Sequence, residues 1–166
     1  MLKIMSLTLR EARQKMTKNA TFAPKVPFIV WLLENPKSPL RLPGAISLKQ
    51  HDYVHCVLKA NLRLPGEAFV IGFTMGCDPR MNAFHLWLFK FISCNFYPRQ
   101  YRFRGRRHWL VFKRGYDLAK QTQVRDLETF DFESWLDKPV EQLRQFMFGS
   151  KFFTSPLAGE DRKSWA

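Results

Sequence analysis

Apolar positions recur at helical spacing over most of the chain, and clean alternation of apolar and polar residues is missing. Over residues 83 to about 95, Phe84, Trp87, Leu88, Phe91 and Ile92 follow the i, i+3, i+4 pattern of one helical face. The polar side of that helix is poor, because His85, Lys90 and Ser93 do not align; such a helix is buried or touches lipid. Ser47 is placed to cap a helix reaching about Asn61, with Val54, Val57 and Leu58 on its inner side. Residues 62–66 form a tight turn, in which Pro65 sits where a first helical turn tolerates it. A second helix then runs from Glu67 to about Gly76, and Cys77-Asp78-Pro79-Arg80 breaks it. Trp109, Phe112, Tyr116 and Ala119 mark another helix. A polar linker over 123–131 leads to two short amphipathic pieces at 132–136 and 140–148. A short apolar helix is expected at about 27–33, followed by a proline-rich loop over 34–44, since each proline disfavours helix at the residue before it. The pattern predicts an all-α fold: a single-domain helical bundle with short loops over residues 1–150, and a frayed tail over 151–166.

Composition narrows the class. The 166 residues suit one ordinary domain. At 46% hydrophobic and 15% aromatic residues, the chain is no disordered tail, fibre or low-complexity linker. Its 16 Phe and five Trp exceed what a small core needs, so part of that surplus is available for a pocket or a lipid surface. A formal net charge of +13 favours anionic partners: nucleic acid, anionic lipid or a phosphorylated ligand. Cys56, Cys77 and Cys94 form no CxxC pair and no disulfide framework, which points to a reducing, cytoplasmic compartment. The first 19 residues lack a continuous apolar stretch of the signal-peptide kind. No apolar run approaches the roughly 20 residues that cross a bilayer, so the expectation is a protein that lies on a membrane at most.

Two of the four histidines fall in one pentapeptide, His51-Asp52-Tyr53-Val54-His55. Positions i and i+4 share a helical face with side chains roughly 5–6 Å apart, which lets two imidazoles share one metal ion. Asp52 leans over the same turn. Eleven residues later comes Glu67, in the first turn of the next helix, where a short antiparallel turn can bring it opposite the histidines. Two imidazoles and two carboxylates suit Zn²⁺ best, although Fe²⁺ or Mn²⁺ would accept them. Plainer readings exist for each residue. A histidine pair at this spacing is often accidental, Asp52 can be a solvated helix residue, and the helix dipole alone favours Glu67.

The string H-D-x-x-H, eleven residues and E, together with the Leu64-Pro65-Gly66-Glu67 turn, resembles the signature of the Coq-four family of ubiquinone biosynthesis proteins. The resemblance covers about residues 39–76. It implies a compact, bacterial or cyanobacterial type of member: an all-helical protein, peripheral to the membrane, with a divalent metal, commonly zinc, on His51, Asp52, His55 and Glu67. It also implies a place in a polyprenyl-quinone pathway, either organising the enzymes and lipid intermediates or acting on the quinone head group by oxidative removal of its C1 carboxylate. The isoprenoid tail of the quinone or its precursor would lie along Phe69, Phe73, Phe84, Trp87, Leu88 and Phe91. Other quinone-biosynthesis proteins, or a second copy of the chain, are the implied partners.

Between Arg99 and Arg114 the chain carries Arg99, Arg102, Arg104, Arg106, Arg107, Lys113 and Arg114, interleaved with Tyr101, Phe103 and Trp109; no acid lies between Pro79 and Tyr116. Arg99, Arg102, Arg104, Arg106 and Arg107 are candidates for an anionic lipid surface. The same pattern fits a single-strand nucleic-acid surface, which ranks second because the metal motif points to a lipid pathway and no nucleic-acid fold signature is present. A metal-dependent hydrolase ranks third, because the Glu of HExxH is missing. His85 is expected in the core, His108 on the basic surface, and the cysteines in the core. Gly72 and Gly76 allow close helix approach.

Overall fold

The computed structural model describes residues 7–18, 35–99, 102–103 and 105–149. The helix expected at 27–33 and the tail at 151–166 lie outside the described residues. Among those residues the architecture is all-α, as the periodicity predicts, with no strand. Six helices follow in order: α1 (Leu9–Lys18), α2 (Leu48–Leu58), α3 (Leu64–Cys77), α4 (Ala83–Asn95), α5 (Arg106–Ala119) and α6 (Val140–Phe148). A 3-10 turn, Glu133–Trp135, precedes α6. None of these helices is long and apolar enough to cross a membrane.

Local chemistry sets the ends of the central elements. Ser47 Oγ accepts from the Gln50 amide, and Gln50 Oε1 accepts from the Ser47 amide at 3.0 Å, a reciprocal box that satisfies two donors at the start of α2. The Gln50 side chain also donates to the Glu128 carbonyl at 2.8 Å, which ties this start to the linker after α5. Pro65 stands in the first turn of α3, where its missing N–H costs nothing. Beyond the end of α3, Asp78 is buried and accepts from the Gly44 amide and from both Nε and Nη2 of Arg80. Asn82 caps α4 by accepting from the His85 amide at 3.1 Å.

α3 is the centre of the bundle, buried on nearly every side. α5 lies along it, and the two backbones approach closely where glycines stand. A Cβ at Gly72 would fall 2.1 Å from the Phe112 carbonyl oxygen, and one at Gly115 would fall 2.0 Å from that of Phe69. Gly76 faces Tyr116 and Ala119. The small-residue spacing in the sequence therefore serves packing inside the chain. α4 docks on α5 through rings: Phe89 stacks on Phe112 at 5.3 Å and meets Phe103 edge-on at 5.6 Å, and Trp109 meets Phe112 at 5.3 Å.

α1 was not visible in the apolar pattern, and distant backbone holds it. The amides of Leu9 and Arg10 donate to the carbonyls of Lys138 and Leu136, and the Val140 amide donates to the Leu7 carbonyl. On α6, Arg144 is buried and its guanidinium donates to the carbonyls of Val57 and Cys56 at 2.6 Å each. Those carbonyls belong to the last turn of α2, where the only backbone donor to them among the described residues is the Lys59 amide, 3.4 Å from the Cys56 oxygen. A cation there also complements the negative end of the helix dipole. Glu141 pairs with the same guanidinium.

Replacing Gly72 or Gly115 with Ala should lower the free energy of unfolding by at least about 2 kcal/mol, although Ala is the better helix former. Urea denaturation measures this directly; an unchanged midpoint in both variants would mean that the helices do not meet so closely.

Candidate metal centre

His51 and His55 stand one turn apart on α2, and Glu67 stands in the first turn of α3. Between them the chain must reverse within a few residues. Lys59 does this in the left-handed conformation, φ +54, at the end of α2. Gly66 then packs so closely on the turn that a Cβ would lie 1.9 Å from the Asn61 carbonyl oxygen. Only glycine fits that approach, and the next residue, Glu67, is thereby turned toward α2.

The three side chains converge. Their candidate ligand atoms lie within 4.8 Å of one another. The two imidazole rings are 4.7 Å apart between centroids and meet edge-on. Glu67 offers one oxygen to each: Oε2 lies 3.6 Å from His51 Nε2, and Oε1 lies 3.3 Å from His55 Nε2. Donor atoms around a tetrahedral zinc ion stand roughly 3.3 Å apart, given bonds of about 2.0–2.1 Å. His55 is fully enclosed, whereas the side chains of His51 and Glu67 keep 22% and 20% of their surface. The cluster is closed behind and open on one side.

The protonation pattern is informative. His55 Nδ1 lies 3.2 Å from the Ala60 carbonyl oxygen, which can only accept, so Nδ1 carries hydrogen. Ala60 in turn donates its amide to the His55 carbonyl. This backbone clamp fixes the ring and directs Nε2 at Glu67, the outer-shell arrangement common in metal sites. Nε2 is buried and aligned with no hydrogen-bond partner. It lies 3.3 Å from Glu67 Oε1, where a proton or a metal ion between the two atoms satisfies both. Burial, with His55 alongside, pushes His51 down to about 4 against the opposing pull of Glu67 and Asp52, so His51 is neutral at pH 7. Burial works to raise the Glu67 carboxyl, yet contact with His55 and then His51 outweighs it and holds the group below the ordinary carboxylate range. Two imidazoles and one carboxylate, closely set and one side open, are the donor set of a site that can hold a divalent cation.

Asp52 does not join them. Its Oδ2 accepts from Arg13 Nε on α1 at 2.9 Å, so three of the four motif positions meet and the fourth is committed elsewhere. Phe69 and Phe73, expected along an isoprenoid surface, are fully enclosed between α3 and its neighbours and belong to the core. Leu88 is half-buried against that core. Phe84, Trp87 and Phe91 face outward. Of the basic candidates, Arg99, Arg106 and Arg107 are exposed; Arg102 is half-buried and donates to the Tyr97 carbonyl at 2.8 Å, and Arg104 lies outside the described residues. Burial pushes the Cys56 thiol up to about 11 and that of Cys77 up to about 12, so neither offers a thiolate at neutral pH. Sequence reasoning missed Arg13, Ala60 and Arg144, which place the motif's side chains without belonging to the motif. No family model, curated protein or solved structure matches the chain.

The metal-free protein should lose stability on acidification. His51 has a folded pKa of about 4 against an ordinary 6.5, so between these values the unfolded chain binds the proton more readily and unfolding is favoured as pH falls. Glu67 adds a loss of the same sign at lower pH, because its folded pKa is the depressed one. Thermal melts from pH 7 to 4 should show a decline of roughly 2–3 kcal/mol attributable to His51, and His51→Gln should flatten the pH 6.5–4 portion of the curve.

Proposed function

We propose that the protein holds a divalent cation, zinc by preference, between His51, His55 and Glu67, and serves a polyprenyl-quinone pathway as the Coq-four proteins it resembles do. The observation that carries the metal reading is the His55 imidazole: clamped through Nδ1 by Ala60, it directs an unpartnered, buried Nε2 at a carboxylate oxygen 3.3 Å away. The quinone reading rests on the resemblance, whose motif supplies all three of these residues at its own spacing.

In this reading His51 and His55 act as neutral donors, and Glu67 brings the negative charge. With three protein donors, a zinc ion keeps a position for an exchangeable ligand. The exposed edge of the cluster, formed by His51 and Glu67, is the side from which a head group approaches. A bound divalent ion supplies Lewis-acid polarisation of a head-group carboxylate or phenolate oxygen there. Asp52, held by Arg13, positions α1 against the start of the motif helix and leaves the ion to the other three. The protein then either acts on the head group or presents it to partner enzymes.

Elemental analysis of the purified protein tests the metal. About one zinc, iron or manganese per chain is expected, lost in His55→Ala and in Glu67→Ala with helical content retained. Asp52→Asn should keep its metal, because that carboxylate is engaged by Arg13. A full complement in His55→Ala would sink the assignment. For the pathway, solvent extraction of the native protein followed by mass spectrometry should release an isoprenoid quinone or precursor.

A further inference from the structure

α4 buries Phe89, Ile92 and Ser93 and turns a row of aromatic rings the other way. Phe84 is 61% exposed, Trp87 60% and Phe91 48%, and Phe96, just beyond the helix end, 44%. The rings form one continuous ladder. Phe84 and Trp87 stack at 6.1 Å, Trp87 and Phe91 stack at 6.0 Å with planes 12° apart, and Phe91 meets Phe96 at 5.9 Å. Four large aromatics standing side by side in water are costly surface, and a contiguous patch of this kind marks an interaction site.

The charge around the ladder selects its occupant. The chain from Pro79 to Tyr116 spans α4, the following loop and most of α5, and it contains no acidic residue. Lys90 flanks the ladder on α4 itself, its Nζ over the Trp109 ring at 5.5 Å, and Arg99, Arg106 and Arg107 are exposed in the same acid-free stretch. A second copy docking face to face would bring the Lys90 of each α4, within its acid-free stretch, against its own image. A single-stranded nucleic acid needs open ring faces, and Trp87 is already flanked by the near-parallel rings of Phe84 and Phe91. An anionic bilayer satisfies both features, since aromatic rings settle at the headgroup level and Lys and Arg meet the lipid phosphates.

We infer that the outer face of α4, through Phe84, Trp87, Phe91 and Phe96, is the surface by which the protein seats itself in the interface of an anionic membrane. The rings enter the headgroup boundary, and Lys90 with the exposed cations of the same acid-free stretch meets the surface charge. This inference stands on α4 and its surroundings alone and does not depend on the metal or on the quinone. It also reassigns Phe84, Trp87 and Phe91 from a tail-binding groove to a membrane-facing ladder.

The test is co-sedimentation of the full chain with vesicles of phosphatidylcholine, with and without phosphatidylglycerol, using the wild type and the triple variant Phe84→Ser/Trp87→Ser/Phe91→Ser. These positions are exposed, so the fold should survive; circular dichroism checks that it does. The wild type should bind the anionic vesicles and bind neutral ones weakly. The triple variant should lose at least about tenfold in partition. Fluorescence quenching by brominated lipid should be smaller in Trp87→Phe than in the wild type. Failure of the wild type to bind, or equal partition of wild type and triple variant, would overturn the inference. So would a wild-type dimer that the triple variant abolishes, or oligonucleotide binding that depends on the same three rings.

Discussion

The placing of α3, α4 and α5 depends on one backbone-to-backbone contact, the approach of α5 to α3 at Gly72, Gly76 and Gly115. With side chains absent at those points, the carbonyls of Phe112 and Phe69 sit where Cβ atoms would otherwise be. Close approach lets the flanking large residues interdigitate, which is why Phe69, Phe73 and Phe112 are enclosed so completely. It also fixes both ends of α3. At the far end Asp78 is gathered by Gly44 and Arg80; at the near end Glu67 is presented to α2. The aromatic cluster of Phe89, Phe103, Trp109 and Phe112 hangs α4 on the other side of α5. The two surfaces with chemistry, the cluster on α2 and α3 and the ladder on α4, are thus set by the same packed pair.

α2 is held independently of that contact, and its restraints converge on the histidines. The capping box fixes its start, Arg13 fixes the side carrying Asp52, Arg144 fixes its last carbonyls, and the Lys59–Ala60 turn fixes the His55 ring. Each of these uses a backbone group or a charge that would otherwise be unsatisfied. Their joint effect is to place His55 Nε2 and a Glu67 carboxylate oxygen 3.3 Å apart in a half-buried position. Without a positive group between them, that arrangement is unfavourable. A proton on Nε2 relieves it as an ion pair, and on the proposed reading a divalent cation does so instead.

Features with local causes were legible in the sequence. Ser47 at the start of a helix, Pro65 in a first turn and the break at Cys77-Asp78-Pro79-Arg80 are local signals, and α2, α3 and α4 fall close to where the pattern puts them. The motif spacing likewise foretold that His51, His55 and Glu67 meet. What the pattern did not carry was long-range. α1 is mostly polar and exists because its amides find carbonyls near Lys138; its Arg10 pairs with Asp137 across 127 positions. Asp52 looks like a fourth donor until Arg13 is brought in from α1. Arg144 sits in an amphipathic segment where a cation is expected in water, and its burial follows only from the position of the α2 carbonyls. Periodicity also cannot distinguish the inward from the outward side of a helix with large apolar residues on both, as α4 has in Phe89 and Phe91.

The openness of the cluster bears on what a metal would do there. A structural zinc ion closes its shell with four protein ligands and supplies folding free energy that a small core lacks. Here the core is complete without it: α3 and α5 interlock through glycine, the aromatic cluster fastens α4, and Arg144 and the capping box secure α2. Among the described residues the donors number three, since Arg13 has drawn Asp52 away, and two of them reach the surface. An ion at such a place contributes little that the fold needs, and it presents a free coordination position to whatever approaches past His51 and Glu67. On the proposed reading, the arginine that draws Asp52 out of the motif is what leaves that position open.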